Sequence, residues 1–154
     1  MMGAKRWCYE SGELGENCRM VIRRSGGLVE GALSYSVVGA FLQVHNTLGY
    51  GFLESVYASA LEFELRVRGH HVAREVSVVV RYSGIAIARQ RLDMVVDGKL
   101  IIEIKSTEKL HVDAQRQLFN YLKATHFEIG LLLHFGREAR YYRVVNQKPS
   151  SPNS

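Results

Sequence analysis

The chain has 154 residues, 47% hydrophobic and 23% charged, the ordinary balance of one globular domain with a substantial core. A formal net charge of +5 and a pI near 9.4 permit a nucleic-acid partner without demanding one. No apolar run approaches the roughly 20 residues that a bilayer-spanning helix needs, and the two cysteines, Cys8 and Cys18, belong to no Cys-x-x-Cys or Cys/His cluster, which argues against a structural zinc. Two such cysteines with no signal peptide point to a reducing cytosol and free thiols, so a cytoplasmic protein with no membrane segment is expected.

Residues 1–30 carry scattered charges and glycines with weak periodicity, which predicts a partly irregular extension, with Met20 as an alternative start. From Ala32 to Leu48, Val37, Val38, Phe41, Val44 and Leu48 recur at helical spacing, and Gly49-Tyr50-Gly51 breaks this first helix. A second helix is predicted from Leu53 to Arg68, with Gly69 just past its end. Val72 to Tyr82 is a valine-rich strand, Ser83-Gly84 turns it, and Ile85 to Val96 and Leu100 to Lys105 follow as two more. A third helix covers Val112 to Thr125, and two strands cover Ile129 to Phe135 and Ala139 to Val145. Residues 147–154, rich in proline and serine, cannot bury enough apolar surface to order themselves and are expected to be a disordered tail. The order α-α-β-β-β-α-β-β makes an α/β sandwich with a mixed sheet. Between Arg66 and Arg91 six arginines face only Glu75, which reads either as a solvated face or as a phosphate-contacting one.

The unusual stretch is Arg91 to Lys105. It holds Asp93 and then Glu103-Ile104-Lys105 behind Leu100, Ile101 and Ile102. Strand alternation sends Glu103 and Lys105 to one face and Ile102 and Ile104 to the other. A carboxylate and an ammonium at the end of a buried strand are costly unless they pair, bind metal or do chemistry. Parity decides whether Asp93 joins them. A two-residue turn at Asp97-Gly98 would pair Val96 with Lys99 and send Asp93 to the opposite face from Glu103. A three-residue loop shifts the register by one and brings the two carboxylates together. The sequence therefore predicts a three-residue loop containing Asp97 and Gly98.

Other candidates lie on helices. Glu54 and Tyr57 share a face of the second helix, where Glu54 also suits the positive end of the helix dipole. His45 lies toward the apolar stripe of the first helix and reads as a core-edge residue or a site residue. On the third helix, Gln117 and Tyr121 stand four apart beside Leu118 and Leu122. Gln117 is read either as a satisfied buried amide or as a group reaching the carboxylates or a phosphate.

Gly51-Phe52-Leu53-Glu54-Ser55-Val56-Tyr57 resembles the signature of the GxxExxY proteins, as do Val44-His45, Leu48-Gly49, Arg91-Leu92-Asp93, Val96-Asp97-Gly98, Ile102 to Ser106, Gln117 to Thr125 and Gly130 to Leu133, in the same order. Leu92 stands where proline is usual, Tyr50 replaces a common proline, His126 stands where glycine is frequent and His134 where asparagine is. The resemblance places the chain in the PD-(D/E)XK nuclease superfamily. It implies a restriction-endonuclease-like α/β fold, core α-β-β-β-α-β, with a mixed sheet flanked by helices, over residues 31–146. By motif position it implies Glu54, Asp93, Glu103, Lys105, Gln117 and Tyr121 as catalytic residues.

The expected activity is Mg²⁺-dependent hydrolysis of phosphodiester bonds in DNA or RNA, with Mn²⁺ as a substitute. Asp93, Glu103 and the backbone carbonyl of Ile104 would hold the cation, with Glu54 reaching it through water. Lys105 would position the attacking water or offset developing charge. Tyr57, His45 and Arg91 are expected substrate contacts. The rival reading is a catalytically inactive module that keeps the acids as an ion-pair network around Lys105 and binds nucleic acid or a protein. One site contacts one strand, so a two-fold homodimer would suit duplex cleavage.

Overall fold

The computed structural model describes residues 9–13 and 30–148. The expectations for Cys8, Cys18, Met20 and the tail beyond Lys148 fall outside them. Nine elements follow in chain order: β1 (Tyr9–Glu13), α1 (Gly31–Leu48), α2 (Glu54–Val67), β2 (Val72–Tyr82), β3 (Ile85–Val96), β4 (Leu100–Lys105), α3 (Ala114–Ala124), β5 (Ile129–Phe135) and β6 (Ala139–Val145). The strands form one sheet in the order β1-β6-β5-β4-β3-β2. Every pairing is antiparallel except β4 with β5, whose parallel connection requires a crossover, and α3 supplies it.

β1 is the element that sequence pattern did not predict. Its sequence, Tyr-Glu-Ser-Gly-Glu, carries no apolar alternation, so only the open edge of β6 directs it into a strand. The other strands carry their own signal. β4 and β5 are buried along almost their whole length because the sheet is covered on both faces. Ile102, Ile104, Leu131 and Leu133 pack with Phe41 and Leu61 of α1 and α2. Ile101 and Leu132 pack with Leu118 and Leu122 of α3.

The link between β3 and β4 is the predicted three-residue loop: Val96 pairs with Leu100, leaving Asp97, Gly98 and Lys99 between them. Asp97 (φ 52°) and Gly98 (φ 63°) both take the left-handed backbone that Asp and Gly tolerate best. The Asp97 side chain also fastens the loop. His71 N–H donates to its Oδ1 at 2.8 Å, and His70 Nδ1 lies 2.7 Å from its Oδ2. His70 Nε2 in turn lies 2.7 Å from Ser36 Oγ on α1. One carboxylate thus ties the hairpin to α1 and to the segment entering β2.

β3 is twice as long as β4 and stays with it only from Met94 to Val96. Earlier in its course β3 pairs with β2 alone, as a two-stranded ribbon closed by Ser83-Gly84, both at positive φ. This divergence opens the sheet at the C-terminal end of β4.

On the other face, α3 approaches β5 so closely that a Cβ on Gly130 would lie 2.8 Å from Leu118 Cδ1 and 3.0 Å from its Cγ. Leu118 is fully buried and has little room to retreat. Gly130→Ala is expected to destabilise the fold by about 1–3 kcal/mol, the usual cost of overpacking. Urea unfolding of the two proteins checks this; unchanged stability would mean that α3 slides freely on the sheet.

Candidate functional site

The site grows out of the divergence of β3 from β4. Continuing the register beyond Met94–Ile102 would put Leu92 opposite Ile104, but the backbone ladder stops before that point. The Ile104 N–H still needs an acceptor in a buried strand. Asp93 supplies one, its Oδ2 accepting from Ile104 N–H at 2.8 Å. A side chain replaces the missing strand, and the same contact anchors Asp93 beside Glu103.

Glu103 is only 8% exposed. Its Oε1 lies 3.2 Å from Lys105 Nζ, while its Oε2 is buried with no hydrogen-bond partner. Burial and the nearby Asp93 charge raise the Glu103 carboxyl to about 7, against the pull of Lys105. Burial acts to lower the Lys105 ammonium, but Glu103, Glu54 and Asp93 outweigh it and hold the pKa above the ordinary lysine value. Burial and then Glu103 raise the Tyr121 phenol. Glu54 opens α2, and its Oε1 accepts from Ser106 N–H at 3.4 Å, directly after Lys105. Glu54, Lys105 and Gln117 line a cleft of about 610 Å³. The α2, β3, β4 and α3 elements thus bring Glu54, Asp93, Glu103, Lys105, Gln117 and Tyr121 into one region. Gln117 is exposed on the cleft wall, so its reading as a buried amide is corrected.

Three expected substrate contacts are placed differently. Tyr57 is fully buried, stacked on Phe135 with ring centroids 4.2 Å apart. Its hydroxyl donates to Gly49 O at 2.6 Å and accepts from Phe52 N–H at 3.3 Å, so it braces the loop before α2 and faces no cleft. His45 is half-buried with its Nε2 2.8 Å from Gly136 O, a contact that ties α1 to the β5–β6 turn. Arg91 lies on the exposed ribbon, 3.9 Å from Glu75. The arginine-rich stretch is also less bare than the sequence implied. Glu62 on α2 takes both Arg66 and Arg74, and Glu64 takes Arg68.

Sequence reasoning missed the groups that hold the loop after β4. His134 is buried, and its Nε2 lies 2.6 Å from Thr107 O. Lys109 and His111 of that loop line the cleft. A loop residue has no periodicity to betray it; the only signal was proximity to Glu103-Ile104-Lys105.

Among the described residues no group of three His, Cys, Asp or Glu forms a ready-made metal cage. The donor set fits Mg²⁺ nonetheless, because that cation commonly takes one or two carboxylates and keeps several waters. A buried carboxylate oxygen without a donor, next to a second carboxylate, is the charge pattern that a cation relieves.

A family model of the PD-(D/E)XK nuclease superfamily matches residues 31–145. The chain belongs to this superfamily. No curated protein and no solved structure matches it. The mixed sheet flanked by helices is the restriction-endonuclease-like fold of the PD-(D/E)XK proteins, its α-β-β-β-α-β core running from α2 through β5. Asp93 on β3 and Glu103-Ile104-Lys105 on β4 fall within the PD-(D/E)XK match.

Glu103 also makes stability depend on pH. Its carboxyl is raised from an ordinary value near 4.5 to about 7, so between those values the folded state binds more protons than the unfolded one. Stability from this group is full below pH 4.5 and is lost as pH rises through 7. In EDTA, urea unfolding should show a decrease on the order of 3 kcal/mol from this group between pH 4.5 and 8. Glu103→Gln should flatten the profile; an identical slope in the variant would assign the dependence elsewhere.

Proposed function

We propose that the protein is a divalent-metal-dependent nuclease that hydrolyses phosphodiester bonds of DNA or RNA. The observation that carries this reading is the buried Glu103 carboxylate, its Oε2 without a partner, set between Asp93 and Lys105 Nζ. In this reading residues 31–146 are the nuclease unit, 1–30 an extension and 147–154 a tail. The chain's own branch is the GxxExxY group, on the strength of Gly51, Glu54 and Tyr57 and the motifs that follow them.

Asp93, Glu103 and the Ile104 carbonyl would hold Mg²⁺, or Mn²⁺ in its place, with Glu54 reaching it through water. The chemistry supplied by a cation there is acidification of a water and polarisation of a phosphoryl oxygen. The protein's own groups do the rest. Asp93, fixed by Ile104 N–H, keeps its second oxygen available at a set position. Lys105 stays protonated and so orients the attacking water and offsets charge that develops on the phosphate. Tyr121 stays a neutral phenol able to donate a hydrogen bond, and Gln117 meets substrate across the cleft. A two-fold homodimer would present one such site to each strand of a duplex. No described helix is long and apolar enough to cross a membrane, which is compatible with a cytoplasmic nuclease.

Millimolar Mg²⁺ or Mn²⁺ should raise the melting temperature of the wild type, and Asp93→Asn should remove the rise. In assays on single-stranded, duplex, junction and RNA substrates, metal-dependent cleavage should fall by at least about a hundredfold in Lys105→Ala, the usual scale for removing a positioned acid–base or charge-stabilising group. Tight binding without cleavage by the wild type would replace this reading with that of an inactive binding module.

A further inference from the structure

Beside the acid cleft lies a second, smaller cavity of about 190 Å³. It is bounded by the α1–α2 loop, the loop after β4 and the β5–β6 turn. Its lining is mainly apolar, with Phe135 among the contributors. Gly136, also on the lining, packs so closely on the His134 ring that a Cβ there would lie 2.9 Å from it. At the same cavity the Arg137 guanidinium stands 5.2 Å over the centroid of the Tyr50 ring. Tyr50 is 55% exposed, so its ring is not there to fill the core.

The cavity and the cleft are neighbours. Thr107 lines both. Ser106, which lines the cavity, gives its N–H to Glu54, which lines the cleft. A polymer chain whose phosphate sits in the cleft therefore brings an adjoining nucleotide to the cavity. The chemistry of the lining selects which part of that nucleotide enters. A phosphate or a sugar gains little from an apolar wall; of the two charges on the lining, Glu108 repels a phosphate and Arg137, which would attract one, already lies over the Tyr50 ring. A flat nucleobase can stack on an aromatic face or a guanidinium plane.

We infer that this cavity, with Tyr50 and Arg137 at it, receives one unpaired nucleobase next to the scissile phosphate, so that the preferred substrate is single-stranded or carries an unpaired end. A base held in a helical stack cannot enter a cavity of this kind without leaving its partner, which costs unstacking and unpairing energy. This inference rests on the nuclease reading for its account of the cleft, but its own signal is stacking at Tyr50.

The test uses oligonucleotides carrying a fluorescent aminopurine, whose emission is quenched by stacking and so reports a change of stacking partner, at successive positions. Binding of the full chain is followed in Ca²⁺ and cleavage separately in Mg²⁺. At one position of a single strand the emission should change on binding to wild type and to Tyr50→Phe, and not on binding to Tyr50→Ala or Arg137→Ala. The Tyr50→Ala affinity for single strands should fall on the order of tenfold, and the same fall should appear in KM more than in kcat. A Tyr50→Ala protein that gives the wild-type signal and affinity overturns the cavity assignment, as does a fully paired duplex bound as tightly as the single strand with its bases still stacked. If cleavage depends on Glu103 and Lys105 but nothing depends on Tyr50, the cavity assignment fails and the nuclease reading stands. A Tyr50-dependent signal without any cleavage supports the cavity and removes the nuclease reading.

Discussion

The contact on which the site depends is the hydrogen bond from Ile104 N–H to Asp93 Oδ2. An antiparallel ladder normally satisfies every inward backbone group, and a site cannot open inside a continuous one. Here β3 joins β4 only at Met94 and lies apart from it over the residues before, so the chain has to satisfy the buried Ile104 N–H by other means. A carboxylate does this with a strong, charge-assisted bond. The same bond fixes the position of an acidic side chain at the point where the strands part. Sheet termination and site construction are one event, and the short β4 is what allows both.

That arrangement runs against stability at Glu103. A carboxylate that is 8% exposed, with one oxygen lacking a donor and another acid beside it, is an uncompensated group; among the described residues Arg74 Nε and His134 Nδ1 are likewise buried without a partner, but neither is a carboxylate oxygen facing a second acid. Lys105 offsets only part of this, through a single 3.2 Å contact at Oε1. The surrounding core makes the arrangement tolerable. Ile102, Ile104, Leu131 and Leu133 are fully or almost fully buried on the face opposite Glu103, and their burial holds β4 and β5 in register whatever the charge state of the acid. A strained polar end on a securely packed strand is the expected form of a site that is completed by a ligand.

Much of this was legible in the sequence because the relevant signals are periodic. The runs Leu100–Lys105 and Ile129–Phe135 state their own burial, and the helices declare themselves by the spacing of Phe41 and Val44 or Leu61 and Leu65. The parity argument at Asp97-Gly98 also held, since Val96 does pair with Leu100. Three kinds of information were not legible. β1 has no apolar pattern and exists through its partner, so no local reading could find it. Tyr57 and His45 carry chemically versatile side chains, yet both turn to backbone carbonyls, at Gly49 and Gly136, in contacts 8 and 91 residues apart in sequence. The apparent arginine stripe is partly neutralised by Glu62 and Glu64 from α2, which precede Arg66 in the chain and meet the arginines only in the fold.

The segment Gly51 to Tyr57 shows how a motif can mix structural and chemical parts. Gly51 takes φ 100°, a backbone angle that side-chain-bearing residues rarely adopt. Tyr57, one turn into α2, reaches back to clamp both Gly49 O and Phe52 N–H, so the loop is held from within the helix that it precedes. Its ring stacks on Phe135 at the end of β5, which joins the loop to the sheet. The rigid loop then delivers two exposed side chains in different directions: Glu54 toward Lys105 and Ser106, and Tyr50 toward Arg137. Only Glu54 of the motif's named residues reaches the charged cluster. The spacing of glycine, glutamate and tyrosine therefore follows the geometry of a braced helix start: Gly51 turns the loop, Tyr57 holds it, and Glu54 is the one of the three aimed at the charged cluster.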